Sequence, residues 1–172
     1  MRIPPFIYKW YNDDMRHTEV LAYMAGIIDG EGCILIGRKS QGKGKSPRLT
    51  LIVNIVNTNE WLIQWIKMQF GGNIRNRFPP NPNAKMIWTW RVESKKAMEL
   101  LKLVLPYLQI KRPQAELAIQ FQSRKRFRGG TLIQRSLTDE EKALNEANQI
   151  LMHKYNKRGV SNEGQIGQFV FR

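Results

Sequence analysis

The chain has 172 residues, 28 Lys and Arg against 14 Asp and Glu, a formal net charge of +14 and a pI near 10.2. The length suits one domain with a sizeable core, and the excess of cations suits a polyanionic partner, either nucleic acid or an acidic membrane surface. A single cysteine excludes an internal disulfide and a cysteine-built zinc site, two histidines are too few for a catalytic centre made of several imidazoles, and no apolar run approaches a membrane span.

Taken in order, residues 1–17 read as an aromatic N-terminal arm, 18–158 as the folded domain and 159–172 as a C-terminal tail without a core pattern. Thr18 is the expected N-cap of a helix from about Glu19 to Ile28. Cys33 to Arg38 reads as a strand, and Ser40 to Pro47 as a basic hairpin loop. Leu49, Leu51, Val53 and Ile55 alternate with Arg48, Thr50, Ile52 and Asn54, a half-buried strand with a mainly polar outer face. After the turn Asn57–Glu60, an amphipathic helix from Trp61 to Phe70 stops at Gly71-Gly72, with Trp61 and Trp65 expected in the core. A second hairpin follows, with strands at Asn73–Phe78 and Lys85–Val92 and the tip at Pro79–Asn83. Met86, Trp88, Trp90 and Val92 share its inner face. Ser94 is the expected cap of a helix to Leu105, where Pro106 breaks the pattern, and a further helix spans Arg112–Phe121. Arg124 to Gly130 reads as a basic loop, and Thr138 followed by three acids starts a helix to about Tyr155. Helix, hairpin, helix, hairpin, helices is an α+β order, αββαββα, in which four antiparallel strands carry helices on their apolar face and leave the other face open and basic.

The most informative segment is Leu21 to Cys33, LAYMAGIIDGEGC. Ala22, Gly26 and Gly30 recur every four residues and make one helix face smooth enough for a second backbone to approach. The run ends in Asp29 and Glu31, where the helix dipole is already negative. Two acids at that end point to a bound cation. The charge pattern agrees: between Gly32 and Arg91 the only acid is Glu60, against ten Lys and Arg.

Met24-Ala25-Gly26-Ile27-Ile28-Asp29-Gly30-Glu31-Gly32 resembles the signature of the LAGLIDADG homing endonucleases, with Met24, Gly30 and Glu31 as substitutions within it. The turn Asn57–Leu62, the run Phe70-Gly71-Gly72-Asn73-Ile74, the segment Leu105–Arg112 and Asn156–Gly159 resemble later parts of the same family in the same order. The signature occurs once. The resemblance implies a homodimer with Ala22, Ala25, Gly26 and Gly30 at the interface, since a smooth helix face suits its own symmetry mate. It implies a site-specific endonuclease that cuts both strands of a long, roughly two-fold-symmetric double-stranded DNA site, with Mg²⁺ as cofactor, Mn²⁺ able to substitute, and no small-molecule cofactor or membrane partner. Glu31 is the implied metal ligand with the Gly30 carbonyl beside it, Lys111 the residue that stabilises charge at the phosphate, and Asn57 the polar residue that orders water or metal. Asp29 is expected to serve the helix end. For DNA, the open hairpin faces offer Lys39, Arg48, Asn54, Arg75, Arg77 and Arg91, and the loops offer Lys43, Lys45, Arg124, Lys125, Arg126 and Arg128. The resemblance leaves two other readings open, a DNA-binding regulator that has lost cleavage and an RNA maturase assisting intron splicing. An intracellular setting is expected.

Overall fold

The computed structural model describes residues 14–40, 47–81, 83–125, 127–128, 131–132 and 137–157. The 1–13 part of the arm, the tail from 158 onward and the expected DNA contacts Lys43, Lys45 and Arg126 lie outside them.

Helix α1 (Asp14–Glu31) runs straight into strand β1 (Gly32–Lys39), which returns through β2 (Arg48–Asn57). Helix α2 (Glu60–Phe70) leads to β3 (Asn73–Arg77) and β4 (Ile87–Glu93). Helix α3 (Ser94–Val104), a 3₁₀ turn (Leu105–Tyr107), α4 (Arg112–Ser123), a short ribbon of β5 (Phe127–Arg128) and β6 (Thr131–Leu132), and α5 (Asp139–Tyr155) complete the order. The sheet is antiparallel in the order β1-β2-β4-β3. The expected α+β architecture is the observed one.

Side chains alternate across the sheet as the period of two requires. Ile34, Ile36, Leu51, Val53, Ile55, Trp90 and Val92 are buried on the inner face. Leu21, Met24, Ala25 and Ile28 of α1, Ala97, Leu101 and Val104 of α3, and Ala115, Ala118 and Phe121 of α4 close over them. Trp90 buries its ring completely, and its indole N–H donates to the Gly71 carbonyl at 2.7 Å, so the large apolar side chain leaves no polar atom unmet. That bond anchors the α2–β3 turn, where Gly72 sits at φ 88° and a Cβ would stand 2.7 Å from the Trp90 indole nitrogen. Thr138 and Glu141 form the reciprocal capping box expected at α5.

Several expectations change. The first helix begins at Asp14, so Thr18 lies inside it, and it extends through Glu31. Trp61 is 64% exposed because it lies about 200° round α2 from the buried Ile63; Trp65 instead packs edge-on to Tyr23 and Phe70. On the outer face, Thr50 and Ile52 are buried as well, since β2 is central and the Leu35 and Ile52 side chains meet over Gly37. Ser94 does not cap α3: Glu93 holds that position, and Ser94 makes the turn at φ 57°. The basic segment after α4 contains the β5–β6 ribbon rather than loop alone.

Passage from α1 to β1 without a linker depends on Gly32. A Cβ there would stand 2.7 Å from both Cα and O of Ile28. Gly32→Ala is therefore expected to destabilise the fold by about 1–3 kcal/mol through backbone overpacking, read as a lowered urea midpoint at unchanged slope.

Candidate active site and nucleic-acid interface

The end of α1 is held by an exchange with the segment before α4. Asp29 Oδ2 accepts from Gln109 N–H and Oδ1 from Lys111 N–H, both at 2.8 Å. In return Lys111 Nζ donates to the carbonyls of Ile28 at 2.8 Å and Asp29 at 2.7 Å. The two charged groups each bond the other segment's backbone. A lysine at a helix C-terminus meets the negative end of the dipole and satisfies carbonyls that have no helical partner. Burial pushes the Lys111 ammonium below its ordinary value, against the opposing pull of Asp29, Cys33 and Glu31.

With Asp29 committed to backbone, Glu31 is the acid left over. It is exposed, and its carboxylate forms no hydrogen bond or ion pair with the described residues. Both oxygens are open to a ligand. Among the described residues no three His, Cys, Asp or Glu come together as a metal cage, so one chain alone supplies Glu31 and the neighbouring Gly30 carbonyl. These are hard oxygen donors, and they suit a cation such as Mg²⁺ that keeps waters and takes its remaining ligands from phosphate. Asn57 is engaged differently: its Oδ1 accepts from Asn59 N–H at 2.8 Å in the turn before α2, and that bond does not link it to Glu31 or Lys111.

Strand register brings the six expected hairpin residues to one face. Lys39 lies opposite Arg48, Asn54 opposite Arg91, Arg75 opposite Thr89 and Arg77 opposite Ile87, all on the outer side. Arg75 and Arg77 are exposed. Lys39 and Arg91 are not free: Glu93 stands 2.6 Å from each. Sequence reading passed over Glu93 because it follows the acid-poor stretch. Burial raises its carboxyl pKa, but the hydrogen bond from Lys39 and the charges of Arg91 and Lys39 outweigh that, and the net shift is downward.

Two expected assignments are corrected. Lys125 is tied down: its Nζ donates to the Leu49 carbonyl at 2.6 Å and lies 4.3 Å from the Phe121 ring centre. Burial, with the Arg48 charge adding, lowers its pKa to about 8; it keeps its charge at neutral pH, but that charge is already engaged by the carbonyl and the ring. Ala25 is fully buried in the core, about 100° round α1 from Gly26, and cannot line an external interface. Ala22, Gly26 and Gly30 are exposed together, and a Cβ at either glycine would meet none of the described residues within 4 Å. Arg124 is exposed at the end of α4, and Arg128 contributes backbone to β5.

No protein-family model matches the chain, and no curated sequence is similar to it. Its fold is similar to solved structures. The homing endonuclease I-CvuI in complex with its target superposes with a TM-score of 0.62 at 20% identity, over 86% of this chain and 88% of that one. The archaeal intron-encoded homing endonuclease I-Vdi141I, complexed with DNA, gives 0.63 at 17% identity over 83% and 87%. The LAGLIDADG homing endonuclease I-GzeII gives 0.50 at 18% identity, over 84% of this chain but only 47% of its own. The fold is thus that of the LAGLIDADG homing endonucleases.

Asn in place of Asp29 offers one acceptor oxygen to two N–H donors and turns an amide toward the second. Asp29→Asn is expected to lose about 1.5–3 kcal/mol of stability, the scale of a charge-assisted hydrogen bond, measured by urea denaturation.

Proposed function

We propose that this chain is a site-specific homing endonuclease, acting as a homodimer that hydrolyses both strands of a long, roughly two-fold-symmetric DNA site. The observation that carries the reading is the free Glu31 carboxylate at the end of α1, beside an anchored Lys111, on a fold whose solved relatives include I-CvuI on its target in Ca²⁺, I-CvuI on a second target in Mg²⁺ and I-Vdi141I complexed with DNA. A regulator that had lost cleavage has no use for an unpaired acid at that point.

Glu31 and the Gly30 carbonyl would hold a divalent cation, Mg²⁺ with Mn²⁺ as a substitute. When bound, it polarises the scissile phosphate and acidifies the attacking water. Lys111 stands beside them as a fixed positive charge for the phosphate, its Nζ held by α1. Asn57 is a weaker candidate for ordering water, its carboxamide oxygen being shared with the turn.

Homodimerisation is supported by the glycines. Gly in a helix interior is less stable than Ala by about 1 kcal/mol, and none of the described residues requires Gly26 or Gly30 to lack a side chain. A second helix packed against them does. The chain also spans about half of I-GzeII, so two copies match its length.

Two measurements test this. Cleavage in Mg²⁺ of DNA carrying candidate intron-insertion sites should fall roughly 10²–10³-fold in Glu31→Gln, with DNA binding in Ca²⁺ retained; cleavage at the wild-type rate overturns the reading. In sedimentation the wild type should be a dimer and Gly26→Leu a folded monomer, because the new side chain has room within one chain but overpacks a two-chain helix contact by about 1–3 kcal/mol or more.

A further inference from the structure

Glu93 is out of place as a structural residue. It is the N-cap of α3, yet its side chain makes no capping hydrogen bond. A Ser, Thr, Asp or Asn there would satisfy a free helix N–H. Next to it Ser94 adopts φ 57°, a left-handed conformation that a residue with a Cβ seldom takes. Such strain persists where the surroundings hold it for another purpose. What the junction achieves is position. Glu93 stays in strand register opposite Ile52, and its carboxylate lies on the open face of the sheet.

There it joins cations from two strands across a third. Oε2 accepts from Lys39 Nζ of β1 at 2.6 Å, and Oε1 stands 2.6 Å from Arg91 Nε of β4. The second approach is a close ion pair, and among the described residues Arg91 Nε meets no acceptor other than this carboxylate. Asn54, opposite Arg91 on β2, has a buried Oδ1 with no donor. Both atoms are covered by their neighbours, whereas the Arg91 side chain as a whole is 39% exposed, so what is left for a ligand is the rest of the guanidinium.

We propose that Glu93 is a specificity-determining positioning residue, which holds Arg91 and Lys39 for reading a base-pair edge in the major groove. The proposal rests on the endonuclease reading above. A flexible Arg or Lys on a basic surface falls onto phosphates, which carry no sequence information. A shared carboxylate fixes both side chains and removes one unit of net attraction to the backbone. It engages Arg91 through Nε, outside the pair of terminal nitrogens that reads guanine O6 and N7.

The test is selection of bound sequences from a randomised duplex library in Ca²⁺, for wild type and Glu93→Gln, with thermal unfolding of both. Wild type is expected to enrich one consensus. Glu93→Gln is expected to bind total DNA as tightly or more tightly, but to lose preference roughly tenfold at one base pair of each half-site, leaving the other positions unchanged. The wild-type consensus at undiminished preference in Glu93→Gln overturns the proposal. Failure of the wild type to enrich any sequence overturns the endonuclease reading, and this inference with it. If Glu93→Gln does not fold, Arg91→Lys keeps the charge without the planar fork. It should lose the same base pair, and full preference retained in that variant overturns the proposal equally.

Discussion

The exchange between the end of α1 and the segment at residues 109–111 is the constraint on which the rest of the site depends. A carboxylate at a helix C-terminus opposes the dipole, and a lysine there is favoured. Here both are present and neither neutralises the other directly. Asp29 takes two backbone N–H groups of the later segment, and Lys111 takes two carbonyls of the helix. The exchange satisfies Asp29 and Lys111 within the chain and leaves Glu31 exposed beside them, and the tight passage at Gly32 then starts β1 in register with β2.

The same economy governs the outer sheet face. Its cations are not equivalent. Arg75 and Arg77 on the edge strand stand free, whereas Lys39 and Arg91 are braced through Glu93. The central strand beneath them is apolar and tightly covered at Ile52. Braced cations in the middle with exposed cations at the edge are an arrangement suited to base reading at the centre and backbone contact at the rim.

Much of this was legible in the sequence, for physical reasons. Alternation in β2 and β4 set the inner face, because a strand's period of two leaves no freedom once one face is apolar. The spacing of Asp29 and Glu31 and the Thr138 capping box are local chemistry, readable within a few residues. What was not legible depends on partners far along the chain. Ala25 looked like its small neighbours until the helix phase placed it inward. Lys125 read as a basic-loop residue, but its ammonium is drawn to a carbonyl 76 positions away. Ser94 had the right side chain for a cap and the wrong backbone. Glu93 carried no pattern, since its two cations come from β1 and from its own strand, and only the sheet order brings them together.

The bracing of these side chains also alters what the formal charge of +14 means. Lys111 is bound to helix carbonyls, Lys125 is sheltered with a pKa of about 8, and Lys39 and Arg91 share one carboxylate. Association with a polyanion is driven by the small ions it sheds, at about 0.9 per phosphate met by a free cation. These four side chains release fewer than their number suggests. The salt dependence of association is therefore shallower than a tally of Lys and Arg implies. Lys125, its pKa lowered to about 8 by burial, spends its charge on the Leu49 carbonyl and the Phe121 ring rather than on a duplex.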